Sequence, residues 1–257
     1  MFKGNTMNVG ALPERVYSIC KFVEKEPMTE KDAKELMEPK FLGQSSDYFN
    51  ASLKAAIELG LVTEDDDMIS LIVDPSVIKS LETMREFITN NIGTLSDGSF
   101  YKTTKAYFGL SDQIFTLNKK LQDLSNELNK ISGEKVDNRK LLAMRFWVQY
   151  LGLGYIYDSF FIPNCAVFLG DLIKSANFEV DKLYSISDFF SILNASVLIT
   201  DLDYIHKSMN YGLTCGLRTL ESQGIITLEH VQDMQDIWTL FNLSGVSSTV
   251  TNIRVRR

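Results

Sequence analysis

The sequence is poor in cysteine, proline and histidine, and it has no long apolar run. Its three cysteines, Cys20, Cys165 and Cys215, lie far apart, and none belongs to a C-x-x-C pair. That excludes a disulfide framework and a zinc site and leaves buried, reduced thiols. The two histidines, His206 and His230, have no second histidine or cysteine near them in sequence, so no metal motif forms. No apolar stretch reaches the roughly 18 to 20 residues that cross a bilayer. Residues Met1 to Gly10 lack the basic-then-apolar order of a secretory signal. These absences predict a cytoplasmic protein with no membrane partner. G-x-S-x-G, H-E-x-x-H and Walker motifs are missing too, so the expected catalytic, metal and cofactor sets are all empty.

What is present is an ordinary globular composition, 45% hydrophobic and 23% charged, over 257 residues, with room for two or three small domains. Residues 1–11 read as a tail whose first six residues are disordered. Beyond it, Leu12, Val16, Ile19, Cys20 and Val23 form a helical apolar stripe that Pro27 ends. Thr29 is placed to cap a second helix, Glu30 to Met37. After a loop through Phe41, Gly43 and Gln44, one of Ser45, Ser46 or Asp47 caps a third helix burying Phe49, Leu53, Ala56 and Ile57 and stopping at Gly60. Leu61-Val62-Thr63 and Met68 to Val73 then flank the acidic turn Glu64 to Asp67, which reads as a β-hairpin. Three helices followed by a hairpin is the order of a winged helix, assigned here to residues 12–75.

The helix-to-strand signature Leu53, Ala56, Gly60, Leu61, Val62 returns as Leu217, Leu220, Gly224, Ile225, Ile226. It predicts a second winged-helix-like domain at 183–257. Its third helix is Ser208 to Gln223, with Ser187 to Asn194 and Asp201 to Lys207 as the first two. A wing pairs Ile225–Glu229 with Val250–Val255 around a short helix, Val231 to Leu240. Residues 76–182 form a helical middle. One helix is expected from Val77 to Asn90. A coiled-coil-like stripe runs through Ile114, Leu117, Leu121, Leu124, Leu128 and Ile131, and a Trp-bearing helix covers Arg139 to Leu151. The fold class is therefore mainly α with small β-hairpin wings, winged-helix domains at both ends flanking the middle.

Two weak catalytic constellations remain. The four acids Glu64 to Asp67 diverge on a tight turn and read as solvated. Asp171, Glu179 and Lys182 resemble the acid, acid, lysine set of a metal-dependent nuclease, but the usual E-x-K is absent.

Charge decides what the ends bind. Residues 12–73 hold seven cations against thirteen acids, with four acids at the wing tip, so long-range repulsion keeps phosphate away. This unit is expected to bind protein. The last unit is less acidic, and its cations cluster. Lys207, Ser208, Asn210, Tyr211, Thr214 and Arg218 stand outside the apolar stripe of the third helix, and Arg254, Arg256 and Arg257 alternate along the final strand. Arginine and asparagine read bases while lysine and serine hold phosphate. Any contact to double-stranded DNA is expected here. The aromatic segment Tyr155, Tyr157, Phe160 and Phe161 is a groove for a protein partner. A G-x-G at Gly152 and Gly154 has no strand before it and no third glycine, so it is not a nucleotide site.

Leu12-Pro13, Leu59-Gly60-Leu61-Val62, and Leu151-Gly152-Leu153-Gly154 with Phe161-Ile162-Pro163-Asn164 carry a resemblance. In these segments, about a quarter of the chain, it resembles the winged-helix accessory proteins of bacterial DNA-modification and phage-defence islands, the Dpd cluster protein G family. The resemblance implies a non-catalytic accessory protein within a larger complex. The acidic charge is also similar to that of the tandem winged-helix, kleisin-binding subunits of chromosome-maintenance complexes, which implies a protein-only adaptor and a homodimer.

Overall fold

The computed structural model describes residues 1–4, 7–42, 47–117, 120–193, 203, 205–243 and 248–256. Eleven α-helices and ten short strands lie among them, the strands in small antiparallel sheets.

The first unit runs α1 (Pro13–Phe22), β1 (Met28–Thr29), α2 (Glu30–Met37), α3 (Tyr48–Glu58), β2 (Val62–Asp65) and β3 (Met68–Leu71). Pro13 sits in the first turn of α1, where its missing N–H costs nothing. Thr29 Oγ1 accepts from the Asp32 amide and donates to Asp32 Oδ2, capping α2 as expected. Asp47 is the residue that precedes α3, and the alternatives Ser45 and Ser46 lie outside the described residues. Asp66 and Asp67 both have left-handed φ, 47° and 61°, which matches the right-handed twist of a two-residue hairpin. The unforeseen β1 pairs with β3, so the sheet order is β1-β3-β2.

The middle contains α4 (Leu81–Asn91), α5 (Ser99–Gly109), α6 (Ile114–Leu117), α7 (Leu121–Ser132) and α8 (Asn138–Tyr150), then the hairpin β4 (Gly154–Tyr157) and β5 (Phe160–Pro163). Helix α4 starts four residues later than its periodicity predicts, because Ser80 and Thr83 form a reciprocal capping box there. The expected coiled-coil stripe is not one helix. Lys120 takes an extended backbone, φ −139° and ψ 118°, and splits it into α6 and α7. Leu124 and Leu128 are buried, while Ile131 is half exposed.

The last part runs α9 (Ala166–Ser175), β6 (Leu183–Ser185), α10 (Ile186–Ile192), α11 (Tyr211–Ser222), β7 (Ile226–Glu229), β8 (Trp238–Thr239), β9 (Thr249–Val250) and β10 (Asn252–Val255). Its main sheet has the order β6-β10-β7, the arrangement of β1-β3-β2 repeated. Helix α9 packs on α11 as α1 packs on α3. Ser185 ends β6 and caps α10 through the Asp188 amide and carboxylate, as Thr29 does for α2. Several expectations are corrected here. Helix α11 begins at Tyr211, so Lys207, Ser208 and Asn210 precede it; Asn210 is its N-cap, its side chain accepting from the Leu213 amide. Residues 205–207 form a turn, with Lys207 at φ 46°, and Asp201 lies outside the described residues. No helix forms over the described residues 231–240; Trp238–Thr239 instead pairs with Thr249–Val250.

Among the described residues one helix-to-strand turn recurs at Gly60, Gly152 and Gly224, with φ of 70°, 68° and 68°. Each glycine N–H bonds back three residues, and the next N–H bonds back five, to Ala56, Val148 and Leu220, at 3.0, 2.9 and 3.0 Å. This is the Schellman closure, which needs a left-handed residue at the turn.

Residues 1–11 are not a disordered tail where described. Met1, Phe2 and Met7 are buried, and Phe2 packs against Phe100 and edge-on to Trp147. The Phe2 amide donates to Glu58 Oε2 at 2.7 Å, and Trp147 Nε1 donates to the Ala11 carbonyl at 2.6 Å. An apolar sequence too short to fold alone is thus ordered by the pocket that receives it. The core is one continuous cluster reaching from Phe2 to Val255.

Candidate functional site

Of the residues expected to meet DNA, Arg256 is exposed, Lys207, Ser208, Asn210, Tyr211, Arg218 and Arg254 are half-buried, and Thr214 is buried. Thr214 is 1% exposed, and its hydroxyl accepts from the Phe241 amide at 2.9 Å, so it does not stand outside the apolar stripe as the helical spacing predicts. Tyr211 is held edge-on between Phe115 and Phe241, and burial pushes its hydroxyl up to about 12. Ser208 bridges to Asp203 and Thr239 through its backbone. Glycine lets α11 approach its neighbours closely: a Cβ at Gly212 would lie 2.5 Å from Phe108, and one at Gly216 would lie 2.4 Å from Cys165 Sγ. Helix α11 is thus a central packing helix, wrapped by chain that follows it and chain that precedes it.

The cations of this face are paired. Lys207 Nζ lies 3.1 Å from Asp236, and Arg218 Nη1 lies 2.7 Å from Glu221. Arg254 forks onto Glu229 at 2.6 and 3.1 Å and donates a third bond to the Asp181 carbonyl. Arg256 donates to Thr227 and to Asp181 Oδ1. Arg257 lies outside the described residues. The Arg254 guanidinium holds the Glu229 carboxyl below its usual range. Burial raises Asp236, but hydrogen bonds from Lys207, Ser187 and Trp238 outweigh it and leave that carboxyl below its usual range as well. Of these pairings, only Arg218 with Glu221 is visible as an i, i+3 spacing; the others join strands and loops distant in sequence.

The third helix of the first unit is packed on along one side, while Tyr48, Asn50 and Lys54 stay exposed. The N-terminal segment lies along α3, with Ser52 Oγ donating to the Gly10 carbonyl and Glu58 receiving the Met1 amine and Phe2 amide. Beside it, carboxylate oxygens of Glu30, Glu64 and Asp67 lie within 4.8 Å of one another. The latter two are exposed on the β2–β3 hairpin, and no further ligand converges on them among the described residues.

The aromatic segment divides. Tyr155, Tyr157, Phe160 and Ile162 share one face of the β4–β5 hairpin, through the pairs Tyr155↔Ile162 and Tyr157↔Phe160. Tyr155 and Tyr157 are 54% and 63% exposed, with Tyr157 edge-on to Phe160. Phe160 is nearly buried, and Phe161 lies on the opposite face, stacked on Tyr107 at 3.8 Å and accepting its hydroxyl through its carbonyl. Phe161 is therefore a core residue and not part of a groove. The tip, Asp158 at φ 53°, is tied to α8 by Arg145 donating to its carbonyl at 2.7 Å.

Beside the base of this hairpin opens a groove of about 420 Å³ whose lining includes Arg85, Gln149, Tyr150, Gly152, Tyr155 and Val167. Arg85 forks onto buried Asp171 at 2.7 and 3.0 Å. Sequence patterns do not reveal this pair, because its partners are 86 residues apart. It also takes Asp171 out of the acid, acid, lysine constellation: Asp171 holds Arg85, while exposed Glu179 holds Lys182. His206 is exposed and bonded to Asp203, and His230 is exposed.

No protein-family model, curated protein or solved structure matches the chain.

Proposed function

We propose that the chain is a non-catalytic adaptor whose two ends are winged helices, residues 13–71 and 166–255, and that it binds a protein partner through the exposed tyrosine face of the β4–β5 hairpin. The repeated sheet order and the matching Thr29 and Ser185 caps support the winged-helix reading. The carrying observation is that the cations expected to meet phosphate are already paired, Lys207 with Asp236, Arg218 with Glu221, Arg254 with Glu229 and Arg256 with Asp181. Helix α11, the one a winged helix would lay in a major groove, is also packed on by the segment that follows it, the Phe241 amide donating to Thr214. Tyrosine pairs standing clear of the surface are typical anchors of protein interfaces. The resemblance to accessory proteins of DNA-modification and phage-defence systems fits such an adaptor, its partner being a larger protein of the same system.

The test is binding of a fluorescent duplex at two salt concentrations, beside partner capture from cells by the whole chain and by a Tyr155→Ala, Tyr157→Ala variant. The expected result is no salt-dependent duplex affinity, with a captured protein that is lost in the double variant. Duplex affinity that falls steeply with salt and disappears in Arg218→Ala and Arg256→Ala would restore DNA as the ligand.

A further inference from the structure

We infer that the groove between α5 and α7 binds an acidic, amphipathic segment of a protein partner. The groove shares no lining residue with the tyrosine face, so this inference is independent of the contact proposed above.

The apolar stripe of α7 is buried at Leu124 and Leu128 but uncovered at its last residue, Ile131, which is half exposed. Facing it, α5 presents Ala106 and Gly109, and their small size leaves a groove of about 330 Å³. Lys102, Lys105 and Ser132 complete its lining, and among the described residues no carboxylate lines it. One carboxylate stands at the rim, Glu134, 3.3 Å from Lys102 Nζ. The residues that follow it restore the positive charge. Lys135 and Arg139 are exposed, Lys140 Nζ donates to the Lys135 carbonyl, and none of the three has an ion pair among the described residues. Residues 102–145 hold nine cations and five acids, in a chain whose net charge is −7. This excess is opposite in sign to the rest of the molecule and selects an anionic ligand.

The lining chooses among anions. Grooves that hold single-stranded nucleic acid combine cations with aromatic rings on which bases stack, and among the described residues no aromatic ring lines this one. Its floor is aliphatic, Ile131 and Ala106, and the lysine stems add apolar surface beneath their charges. That pattern fits an amphipathic segment, an aliphatic side chain seated on Ile131 and carboxylates directed to the lysines, with Lys135 and Arg139 supplying charge beyond the rim. Gly109 gives a way to close the groove. It is helical, and a Cβ there would meet nothing within 4 Å, so a larger side chain enters the groove without backbone strain.

The experiment is fluorescence anisotropy of the whole chain with two labelled synthetic peptides of equal negative charge, one carrying glutamates with leucines at helical spacing, the other with serines in place of the leucines. The leucine peptide should bind at least about tenfold more tightly than the serine peptide, with an affinity that falls as salt is raised. Gly109→Trp, which fills the groove, and Ile131→Glu, which removes its floor, should each weaken the leucine peptide at least about tenfold with unchanged circular dichroism spectra. The Tyr155→Ala, Tyr157→Ala variant should bind it as the wild type does. Equal affinity for the two peptides overturns the proposal, as does full affinity in both groove variants or tighter binding of a single-stranded oligonucleotide of equal charge. A dimer seen in sedimentation and lost in Gly109→Trp would put a second copy in the groove and overturn it equally.

Discussion

At the scale of single residues, the three closing glycines share one conformation but not one environment. A Cβ added at Gly60 or Gly224 meets nothing within 4 Å, so alanine there should cost only the left-handed backbone penalty, about 1 kcal/mol. At Gly152 the same Cβ would lie 2.4 Å from Val167 and 2.9 Å from the Phe168 amide. Clash adds to strain, and Gly152→Ala should cost about 3 kcal/mol. Urea denaturation of the three variants checks the order, and equal losses would mean that the α8–α9 approach is looser than the geometry shows. Cysteine chemistry belongs to this scale too. Burial pushes the Cys20 thiol up to about 12 and raises Cys165 and Cys215, so the thiols stay protonated and unreactive at neutral pH.

At the scale of elements, the last sheet is held by charge as well as by its ladder. Glu229 on β7 is forked by Arg254 on β10, and its carboxyl titrates below its ordinary value of 4.5. A carboxyl depressed in the folded state contributes stability that is complete above the unfolded value and fades as pH falls through the folded one. The thermal midpoint should therefore drop as pH is lowered from about 5 toward 3, and Glu229→Gln should be less stable at neutral pH with a shallower acid decline. An unchanged acid profile in that variant would place the sensitivity elsewhere, for example in Asp203 or Asp236, whose carboxyls are also depressed. Among the described residues the β2–β3 hairpin shows no such ion pair: its strands are short, and the acids at its tip are exposed.

At the scale of the molecule, the N-terminal segment joins units that the sequence presents as separate. Phe2 is fully buried between Phe100 on α5 and Trp147 on α8, while the neighbouring backbone is bonded to Glu58 on α3. Phe2→Ala should cost about 3 to 5 kcal/mol and shift Trp147 emission, because a large buried ring is lost where two other rings cannot collapse. A loss below about 1 kcal/mol would show that the segment lies on the core without supporting it. The same segment packs along one side of α3, where Ser52 donates to the Gly10 carbonyl.

Local chemistry alone determined much of this protein. Helix α1, the Thr29 cap, the acidic hairpin and the Gly60 and Gly224 turns are set by periodicity, capping and left-handed backbone, all readable over a few residues. The short strands β1 and β6 were not readable, because two or three residues have no period and exist only through pairing with β3 and β10. The candidate site was legible only in part. Tyr155 and Tyr157 are exposed, but Phe161 turns inward because alternate residues of one strand face opposite ways, and only the packing against Tyr107 decides which way is in. The fate of Thr214, Arg254 and Arg256 was decided by tertiary structure alone. A helical stripe shows which side of α11 is apolar, but not that a later segment covers the other side. A run of arginines shows charge, but not the carboxylates that distant strands bring to neutralise it.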